Sequence, residues 1–581
     1  MIHLCIFNAD PVIINALLSV NKQYFIPRYQ RDFSWTKENI DELWSDLTNN
    51  IHITNDEFTC EEYFLGTLVL AGREEDFEVE VVDGQQRLTV ITMFISAICR
   101  ALNGIGPEGA AQVTFSTYIK AIDRRRGVFP KLDKRSQSNY FALTIQDLDI
   151  HQAEIQSEED ELVRAAFTQI SRLVSRQSLR KTLTNSTVEI SDEQYSTLLS
   201  TLLDFILDHL KVIRVNVLNS DDAYTIFEIL NARGINLSPI DLIKNKVLQE
   251  WNGTYPIDFA KTKWNDITRI LSSRESRISL DEYSINQWTT KFAYTSKRNL
   301  YKAFKKQFDV GAFTADGYLS ELHSDCLTYV KLSSPLLTDW PQADQRSIFN
   351  SLNALTIFNV SIMRSFLLAL FKVRSRGLIK QRRLIHTLNR IENFHFMFNA
   401  ICSLRPSGIE GIYAKNARNL TYAQNARECN DIINNVIRTL EQKRPTKESF
   451  INKFSELQFL NNNTSNKKLI QYIFAKIERR LQATNEFEPS DLSLEHIANQ
   501  SNQTIPQKII GSIGNLLPMG ESINGNASTA AFPAKKRIYQ NSNYRIVQVF
   551  LEENTQDEWN EDLINARTTS LAENAYDCIW R

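Results

Sequence analysis

The sequence lacks the features that mark secreted proteins and zinc fingers. Its 7 cysteines are scattered over 581 residues, and none forms a CxxC pair. That spacing argues against a disulfide framework or a zinc finger and fits reduced intracellular thiols. The first residues lack a basic segment followed by a long apolar core, so we expect no signal peptide. Together these absences predict a cytoplasmic protein.

Long apolar runs are also absent. The most apolar stretch, residues 354–373, is interrupted by Asn359 and Arg364, which favours a buried helix over a membrane span. The sequence has no internal repeat and no long low-complexity tract. With 43% hydrophobic and 23% charged residues, the composition is that of a soluble globular protein. A chain of this length exceeds one hydrophobic core, so we expect two or three domains.

An excess of positive charge is missing as well. The formal net charge is -2, so a DNA-binding role would need local basic patches. The densest basic run lies within residues 124–135. We interpret it as a solvated surface, and the alternative is a patch that follows a nucleic-acid backbone.

The chain is organised around residues 79–98. A β-branched apolar run ends abruptly at Asp83-Gly84, a strong turn signal, and apolar residues recur at helical spacing after Arg87. The pattern predicts a strand, a tight polar turn and a helix, with Gln85 and Gln86 also at the helix N-terminus. Free backbone N–H groups and an arginine at such a terminus suit phosphate. The structural alternative is a capped turn in which Arg87 pairs with Asp83.

A second polar segment covers residues 24–35. Pro27 favours an extended entry, and aromatic and basic residues alternate after it. Aromatic faces beside arginines can stack a base or hold a phosphate. The alternative is an aromatic staple that holds a loop to the core.

Local patterns predict most of the remaining N-terminal elements. We expect helices near residues 10–18 and 40–47, and antiparallel strands at 63–70 and 78–82. Clean alternation predicts a further strand at 211–217.

Helical patterns dominate the rest of the chain up to about residue 481. Residues 223–230 are predicted to be helical, and Ser238 and Pro239 are expected to start the next helix as its N-cap and first position. His386 and His395 lie on helices of the region 251–481, and we interpret both as packing residues without chemistry.

Four N-terminal segments carry a family resemblance. Residues 83–89 read DGQQRLT and residues 26–35 read IPRYQRDFSW. Residues 63–70 read YFLGTLVL and residues 227–238 read FEILNARGINLS. Together they resemble the ParB/sulfiredoxin-like N-terminal domain of GmrSD-type modification-dependent restriction enzymes, which SspE-like phosphorothioate-sensing proteins share.

This resemblance implies a domain that senses modified DNA and that binds and hydrolyses a nucleotide. The site residues that it implies are Gln30, Arg31, Asp83, Gly84, Gln85, Gln86, Arg87, Asn231 and Arg233. Phe33 stands where the family has a second tyrosine, so a role for a hydroxyl group there is lost. For Asn231 and Arg233 the alternative is an ordinary helix-turn-helix.

The C-terminal region resembles the HNH (ββα-metal) nuclease module of the same proteins. A short predicted strand, residues 492–497, ends in Glu495-His496, and Asn515 and Asn524 follow in the family's order. The resemblance implies that His496 is a general base and that Glu495 and Asn524 bind Mg²⁺ or Mn²⁺. It also implies that Asn515 braces the loop carrying His496.

The resemblance further implies a helix that begins near Phe532, and it places Lys535 and Lys536 where a DNA backbone would pass. The chain departs from the family pattern in two places. Asn499 replaces a proline, and the segment after Asn524 is rich in Ala, Ser and Thr. Asn526 therefore stays an alternative to Asn524 as a metal ligand.

We expect an α+β, predominantly helical protein with three regions. Residues 1–250 form the ParB-like sensor, 251–481 a helical connecting region, and 482–581 the HNH module with closing helices. The predicted function is a modification-dependent DNA endonuclease or nickase in anti-phage defence, in which an NTP-hydrolysing sensor regulates the nuclease. The alternative is a non-cleaving ParB-like DNA-binding regulator with an inactive C-terminal module.

The expected partners are modified phage or plasmid DNA and a nucleotide, with no membrane. The sequence leaves open which nucleotide is preferred and whether the protein forms a homo-oligomer. Hydroxymethylated cytosine, glucosylated cytosine and a phosphorothioate backbone all remain candidates for the modification.

Overall fold

The chain forms two compact units, Met1–Lys261 and Thr262–Arg581. The computed structural model describes residues 7–27, 30, 32–54, 57–136, 138–149, 153–218, 238–251, 259–405, 408–482, 492–527 and 529–580. Arg31, Asn231 and Arg233, which the sequence predicts as site residues, lie outside the described residues, as does the predicted helix at 223–230.

A mixed six-stranded sheet is the centre of the first unit. The strands of the first unit are β1 Phe7–Ile13, β2 Gln23–Ile26, β3 Ile51–Thr54, β4 Glu57–Cys60, β5 Tyr63–Ala71, β6 Glu78–Asp83, β7 Lys120–Asp123, β8 Gly127–Pro130, β9 Leu132–Lys134 and β10 Leu210–Val217. The sheet has the order β1-β10-β5-β6-β2-β9, and β3–β4 and β7–β8 form separate antiparallel pairs. Strand β10 runs parallel to β5, and β2 runs parallel to both β6 and β9.

Helices cover this sheet. In the first unit they are Ile14–Leu18, Lys37–Asn49, Gln85–Leu102, Ala110–Tyr118, Tyr140–Thr144, Glu158–Leu173, Arg176–Thr184, Asp192–Asp204 and Pro239–Gln249, with Phe259–Leu271 at the division between the units. The helix Gln85–Leu102 is almost wholly buried, and Ile91, Phe94, Ile95 and Ile98 lie in one apolar core. It therefore fixes the polar turn before it against the centre of the unit.

Several sequence predictions for this unit are confirmed. Strands β5 and β6 pair antiparallel, and β10 forms as predicted. Ser238 caps its helix by accepting a hydrogen bond from the Ile240 N–H, with Pro239 in the first turn. The predicted helix at residues 10–18 is wrong in its first half, because β1 extends to Ile13 and only then does a helix begin.

The reason for that error is the position of β1 in the sheet. Among the described residues, strand β1 pairs only with β10 and so lies at an edge of the sheet, the position where a proline such as Pro11 is tolerated. The residues between Asp10 and Leu18 have helical spacing, but antiparallel pairing from Phe7 to Ile13 overrides it.

The second unit is almost entirely helical, as the periodicity predicts. Its helices are Leu280–Thr289, Leu300–Asp309, Ala315–Ser333, Arg346–Ile357, Arg364–Ser375, Gln381–His395, Ile409–Tyr422, Ala426–Glu441, Lys447–Phe454, Lys467–Leu481, Gln507–Ile510, Glu521–Ala527, Phe532–Tyr539, Arg545–Glu553 and Glu561–Asn574. Two short strands, β11 Ser493–His496 and β12 Leu516–Met519, pair antiparallel within it. In the described part of the chain, no helix is both long and apolar enough to cross a bilayer.

A buried carboxylate joins the helical region to the C-terminal elements. Glu392 accepts hydrogen bonds of 2.6 Å from Ser351 Oγ, Tyr472 Oη and Lys476 Nζ. Burial alone would raise the pKa of Glu392, but Lys476 and these hydrogen bonds hold it below its usual value. The Trp580 indole N–H donates to Tyr472 Oη at 2.8 Å, so the network includes the last described residue.

His395 and the cysteines agree with the roles that the sequence predicts. His395 is buried, with Nε2 2.9 Å from Tyr413 Oη and Nδ1 2.6 Å from Asn399 Oδ1, as a packing residue should be. Burial lowers its pKa to about 4, so the ring is neutral at pH 7. The cysteines in the described ranges are all free thiols.

Candidate functional site

The turn between β6 and the helix Gln85–Leu102 has the conformation that the sequence predicts. Gly84 is the helix N-cap residue, with φ of 89°. A Cβ atom at this position would lie 2.8 Å from Leu68 Cδ1 and 3.1 Å from the Thr67 carbonyl oxygen. Glycine is therefore required here for its conformation and for space.

We expect Gly84→Ala to destabilise the first unit by about 2–4 kcal/mol. A left-handed alanine costs about 1–2 kcal/mol, and the clash with β5 adds a similar amount. Gly109→Ala is the matched control, because Gly109 is also a left-handed helix N-cap but has open space around its Cβ position. Denaturant unfolding of both variants measures the difference, and equal losses would show that the close approach to Leu68 is unimportant.

A cleft that opens to solvent lies beside this turn. It is lined by Ile26, Pro27, Gln30, Asp32, Phe33, Gln85, Gln86, Thr89, Lys134, Arg135, Ser136, Glu159 and Lys261. The two polar segments that the sequence singles out, residues 24–35 and 83–89, thus meet on one surface. Three cations and two carboxylates lie around the same space, so its lining is mixed in charge.

Gln30 and Gln86 are both buried and both bind main-chain groups. Gln30 Nε2 donates to the carbonyl oxygens of Val81 and Val82, the residues just before the turn. Gln86 accepts from the Ser34 N–H at 3.0 Å and donates to the Asp32 carbonyl at 3.2 Å. These two side chains therefore clamp the segment 30–34 to the turn 81–86.

The charged groups of the cleft are held in ion pairs. Lys261 Nζ lies 2.5 Å from Asp32 Oδ1. Lys134 is buried against Glu159, whose Oε1 also accepts from the Phe33 N–H at 2.9 Å. Arg135 lies 2.5 Å from Glu78 and 3.8 Å above the Phe25 ring. Within residues 24–35, Phe25 packs against Arg135, as expected of an aromatic residue that holds a loop in place, and Asp32 places a charge at the edge of the cleft.

Arg87 does not point into this cleft. Its Nη1 donates to the Thr67 carbonyl at 2.7 Å, and it lines a separate apolar cavity with Ile14, Leu65 and Val212. Gly66 makes room for it, since a Cβ there would lie 3.2 Å from the guanidinium carbon. The structure therefore separates Arg87 from Gln85 and Gln86, although the sequence groups them.

The basic run at 124–135 is divided between the surface and the interior. Arg124, Arg125 and Arg126 form the exposed turn between β7 and β8, and Arg126 lies 3.7 Å from the Phe77 ring centroid. Lys131 is buried and donates to the Val20 carbonyl, and burial lowers its pKa to about 8. Only the turn resembles the solvated surface that the sequence predicts.

In the second unit, Glu495 and His496 end strand β11 and are both buried. His496 Nε2 lies 2.9 Å from the Phe459 carbonyl oxygen, and its ring stacks on that of Phe459. A carbonyl can only accept, so Nε2 carries the proton and Nδ1 keeps its lone pair. Burial lowers the pKa of His496, which keeps the ring neutral and able to accept a proton at pH 7.

Asn515 braces the loop that follows His496. It is fully buried, and its amide donates to the carbonyls of Ala498 and Ile510 at 3.0 and 2.8 Å. Its Oδ1 accepts from the Ala498 N–H at 2.8 Å and from the Trp559 indole N–H at 3.0 Å. These are the contacts of a positioning residue, because Asn515 meets His496 only through the loop.

Glu495 and Lys535 form a buried ion pair. Lys535 Nζ lies 2.7 Å from Glu495 Oε1 and 2.6 Å from the His496 carbonyl oxygen, and Tyr539 Oη lies 3.1 Å from the same carboxylate oxygen. Burial raises the pKa of Glu495 and lowers that of Lys535, and each opposes the shift of the other.

This pair corrects the sequence-based role of Lys535. Lys535 has a side chain 1% exposed, so it does not lie on the surface where DNA would pass. Lys536 is only partly exposed, and its ammonium donates to the carbonyls of Thr555 and Gln556 at 3.0 and 2.7 Å. Lysines are rarely buried, but Lys535 packs inside the module, whereas the DNA contact of Lys536 stays a prediction.

The candidate metal ligands, Glu495 and Asn524, do not form a site that fits a divalent cation in this structure. Lys535 already supplies the positive charge beside Glu495, and the described residues contain no cluster of three or more His, Cys, Asp or Glu side chains. Asn524 donates to Ser493 Oγ and to the Leu494 carbonyl, which turns its amide toward β11. Asn526 is exposed, whereas Asn524 contacts β11, the strand that carries Glu495.

Sequence reasoning missed Phe459 altogether. It contributes a main-chain carbonyl, which any residue type could supply, so no sequence signal points to it. Sequence reasoning gave Gln500 no role, although it lies four residues after His496; its amide is 3.3 Å from His496 Nδ1.

The fold and the two sites define a two-part protein, with a sheet-based cleft in one unit and a buried histidine at a strand pair in the other. Residues 14–248 match the N-terminal domain of GmrSD restriction endonucleases, and residues 444–574 match their C-terminal domain. The chain belongs to the GmrSD restriction endonuclease family. The C-terminal match begins well before residue 492, so the helices Lys447–Phe454 and Lys467–Leu481 belong to the family domain.

A similar protein from another organism matches a smaller part of the chain than the two family domains do. The chain is 25% identical over 248 residues to an uncharacterized protein of Methanocaldococcus jannaschii. The matched region is 39% of this chain and 40% of that protein, so the alignment spans less than half of either.

Proposed function

We propose that the protein is a modification-dependent DNA endonuclease or nickase of a restriction system that defends against phage. The observation that carries this proposal is the environment of His496. It is a buried neutral histidine at a strand end, oriented through Nε2 by a fixed carbonyl, with Nδ1 as the basic nitrogen. Membership of a family of restriction endonucleases supports DNA as the substrate.

The proposed chemistry is hydrolysis of a phosphodiester. His496 Nδ1 takes a proton from water as the water oxygen bonds to phosphorus, and the bond from phosphorus to the leaving oxygen breaks. The leaving oxygen takes a proton from solvent. The Phe459 carbonyl stabilises the imidazolium that forms, because the Nε2–H then donates to it as part of a cation.

The order of the C-terminal elements supports the proposal of an HNH (ββα-metal) module. Strands β11 and β12 pair antiparallel, and the helices Glu521–Ala527 and Phe532–Tyr539 follow them. The family resemblance also implies Mg²⁺ or Mn²⁺. Lys535 already pairs with the carboxylate of Glu495, so no ligand is assigned to the cation. Whether nicking requires Mg²⁺ or Mn²⁺ is a question for experiment.

A plasmid-nicking assay with and without Mg²⁺ or Mn²⁺ tests the proposal. Modified and unmodified supercoiled DNA are compared at equal protein concentration. Metal-dependent nicking of modified DNA supports the nuclease, and binding without nicking under all conditions supports the non-cleaving regulator instead.

The cleft of the first unit is the proposed sensor in a ParB/sulfiredoxin-like domain. It combines Gln30 and Gln85 with Lys134, Arg135 and Lys261, groups that can bind a nucleotide or a modified base. Within the described residues, the buried Oε1 of Gln30 accepts no hydrogen bond, which leaves an acceptor for a ligand N–H or O–H group. An NTP is the proposed ligand and substrate.

We expect Gln85→Ala to affect NTP binding and Arg87→Ala to affect stability. Gln85 lines the cleft, so its loss should weaken NTP binding about 10-fold to 100-fold, the usual cost of a hydrogen bond to a charged group. Arg87 packs between β5 and an apolar cavity, so its loss should lower the melting temperature and leave NTP binding intact. Titration calorimetry with ATP and GTP, together with thermal unfolding, measures both.

These two variants also test whether the sensor regulates the nuclease. Coupling between two sites is typically worth about 1–3 kcal/mol, so Gln85→Ala should change nicking of modified DNA about 5-fold to 150-fold. If Arg87→Ala weakens NTP binding and Gln85→Ala does not, the cleft is not the nucleotide site. If nicking is unchanged in both, the two units act independently.

A further inference from the structure

Both ring nitrogens of His496 are engaged. Nε2 donates to the Phe459 carbonyl, and Nδ1, the nitrogen with the lone pair, lies 3.3 Å from Gln500 Nε2. The Gln500 amide therefore donates to the atom that must accept a proton from water. It occupies the place where that water would make its own hydrogen bond.

The orientation of the Gln500 amide is fixed by a second contact. Gln500 Oε1 accepts from the Asn461 main-chain N–H at 3.1 Å, so the amide nitrogen is the group that faces His496. The Gln500 carbonyl oxygen accepts from Gln507 Nε2 at 2.9 Å, which holds the main chain of this residue. Gln500 is half-buried and His496 is 6% exposed.

One short segment makes both contacts. Phe459 orients His496 directly, and Asn461, two residues later, orients the amide that covers His496 Nδ1. This segment leads into a turn closed by hydrogen bonds between the main chains of Leu460 and Asn463, at 3.1 and 2.9 Å. Residues 459–461 thus control which nitrogen is protonated and whether the other is accessible.

We propose that Gln500 is a latch on His496. It is a positioning residue that covers Nδ1 in the resting protein and withdraws before His496 takes a proton from water. This role rests on the proposed nuclease function. It provides a restraint inside the nuclease unit itself, in addition to any signal from the first unit.

Substitution of Gln500 tests the latch. Gln500→Ala and Gln500→Met both remove the two side-chain hydrogen bonds, and methionine keeps most of the volume. We expect each to raise the single-turnover nicking rate about 3-fold to 10-fold without changing DNA affinity, the range set by one ordinary hydrogen bond. Gln548→Ala is the matched control, because Gln548 is a half-buried glutamine that donates to the Ser542 carbonyl at 2.7 Å and does not contact His496.

Unchanged or slower nicking by both variants contradicts the latch. A rise with alanine alone also contradicts it, because bulk and not the hydrogen bond would then cover Nδ1. An equal rise in Gln548→Ala would show a general loosening of the unit.

A second measurement does not depend on activity. The chain has 8 histidines, so ¹⁵N-histidine labelling gives few signals, and the His496 pair is assigned by its loss in His496→Ala. We expect a protonated Nε2 and a hydrogen-bonded Nδ1 in the wild type. In Gln500→Met, Nδ1 should move toward the position of an unbonded nitrogen while Nε2 stays protonated.

The two measurements separate the latch from the function on which it rests. If no variant nicks DNA and the Nδ1 signal still shifts, the nuclease proposal fails and the hydrogen bond stands. If nicking occurs and the Nδ1 signal is the same in both proteins, the latch is wrong.

Discussion

His496→Ala is expected to lower the rate of plasmid nicking about 10²-fold to 10⁴-fold, the usual contribution of a general base. The ring is neutral, oriented and at a strand end, so its loss removes the proton acceptor and leaves β11 in place. DNA binding and NTP hydrolysis should persist, because neither depends on this imidazole. Nicking rates under single-turnover conditions and a binding assay with the same plasmid measure the two effects.

His386→Ala is the control for this substitution. His386 is an exposed histidine on the helix Gln381–His395 and has no proposed chemistry. Thermal unfolding of His496→Ala checks that the lost stacking on Phe459 has not unfolded the unit. Normal nicking by a folded His496→Ala protein would falsify the assignment of His496 as the base.

Lys535→Met is expected to destabilise the second unit by about 3–5 kcal/mol, the usual cost of removing one partner from a buried ion pair. Glu495 would keep only the Tyr539 hydroxyl among its present side-chain partners, and the His496 carbonyl would lose its ammonium donor. Lys536→Met is the neighbouring control, and it should cost much less because its lysine is partly exposed. Urea unfolding of both variants gives the comparison.

The pH dependence of this loss has a definite sign. Burial raises the pKa of Glu495 above its value of 4.5 in an unfolded chain, and removing Lys535 takes away an opposing effect. A carboxyl with a raised pKa favours the folded state when it is protonated. The deficit of Lys535→Met should therefore be small below about pH 4.5 and should grow as the pH rises.

A double variant separates the ion pair from simple packing. Glu495→Gln with Lys535→Met removes both charges, so it should recover a large part of the stability that Lys535→Met loses. If the double variant is as unstable as Lys535→Met alone, the uncompensated carboxylate is not the cause of the loss.

Local patterns determine how much of the fold can be predicted from the sequence. The antiparallel pair β5–β6, the turn at Asp83-Gly84 and the Ser238 cap each follow from a few adjacent residues. Strand β1 could not be predicted, because its pairing with β10 joins residues about 200 positions apart along the chain. Sequence periodicity carries no information about such a partner.

The direction of Arg87 was not predicted, because the sequence pattern places the helical spacing after Arg87, whereas the helix begins at Gln85. In a helix with 3.6 residues per turn, residues 85 and 87 point about 200° apart, so Gln85 and Arg87 face opposite sides. The motif is contiguous in sequence, and the helix divides it between a cleft and an apolar cavity. The turn pattern and the family resemblance both grouped these residues in one site.

Charge was a misleading guide in the C-terminal site. Lysines are rarely buried, so Lys535 and Lys536 seemed suited to DNA. Burial of Lys535 depends on Glu495 and Tyr539, the latter four residues further along the same helix, and only the packed structure shows that all three meet. The same packing makes Glu495 part of an internal pair.

The carboxylate of Glu392 bears on how this protein can be divided into fragments. Its partners Tyr472 and Lys476 precede residue 482, and Trp580 at the far end of the chain joins them. A recombinant piece that begins at 482 would carry Trp580 and the strand pair but lose Tyr472, Lys476 and the Phe459 carbonyl that orients His496. Expression, crystallisation and domain-exchange experiments on the nuclease should therefore start at or before Thr262, where the compact unit begins.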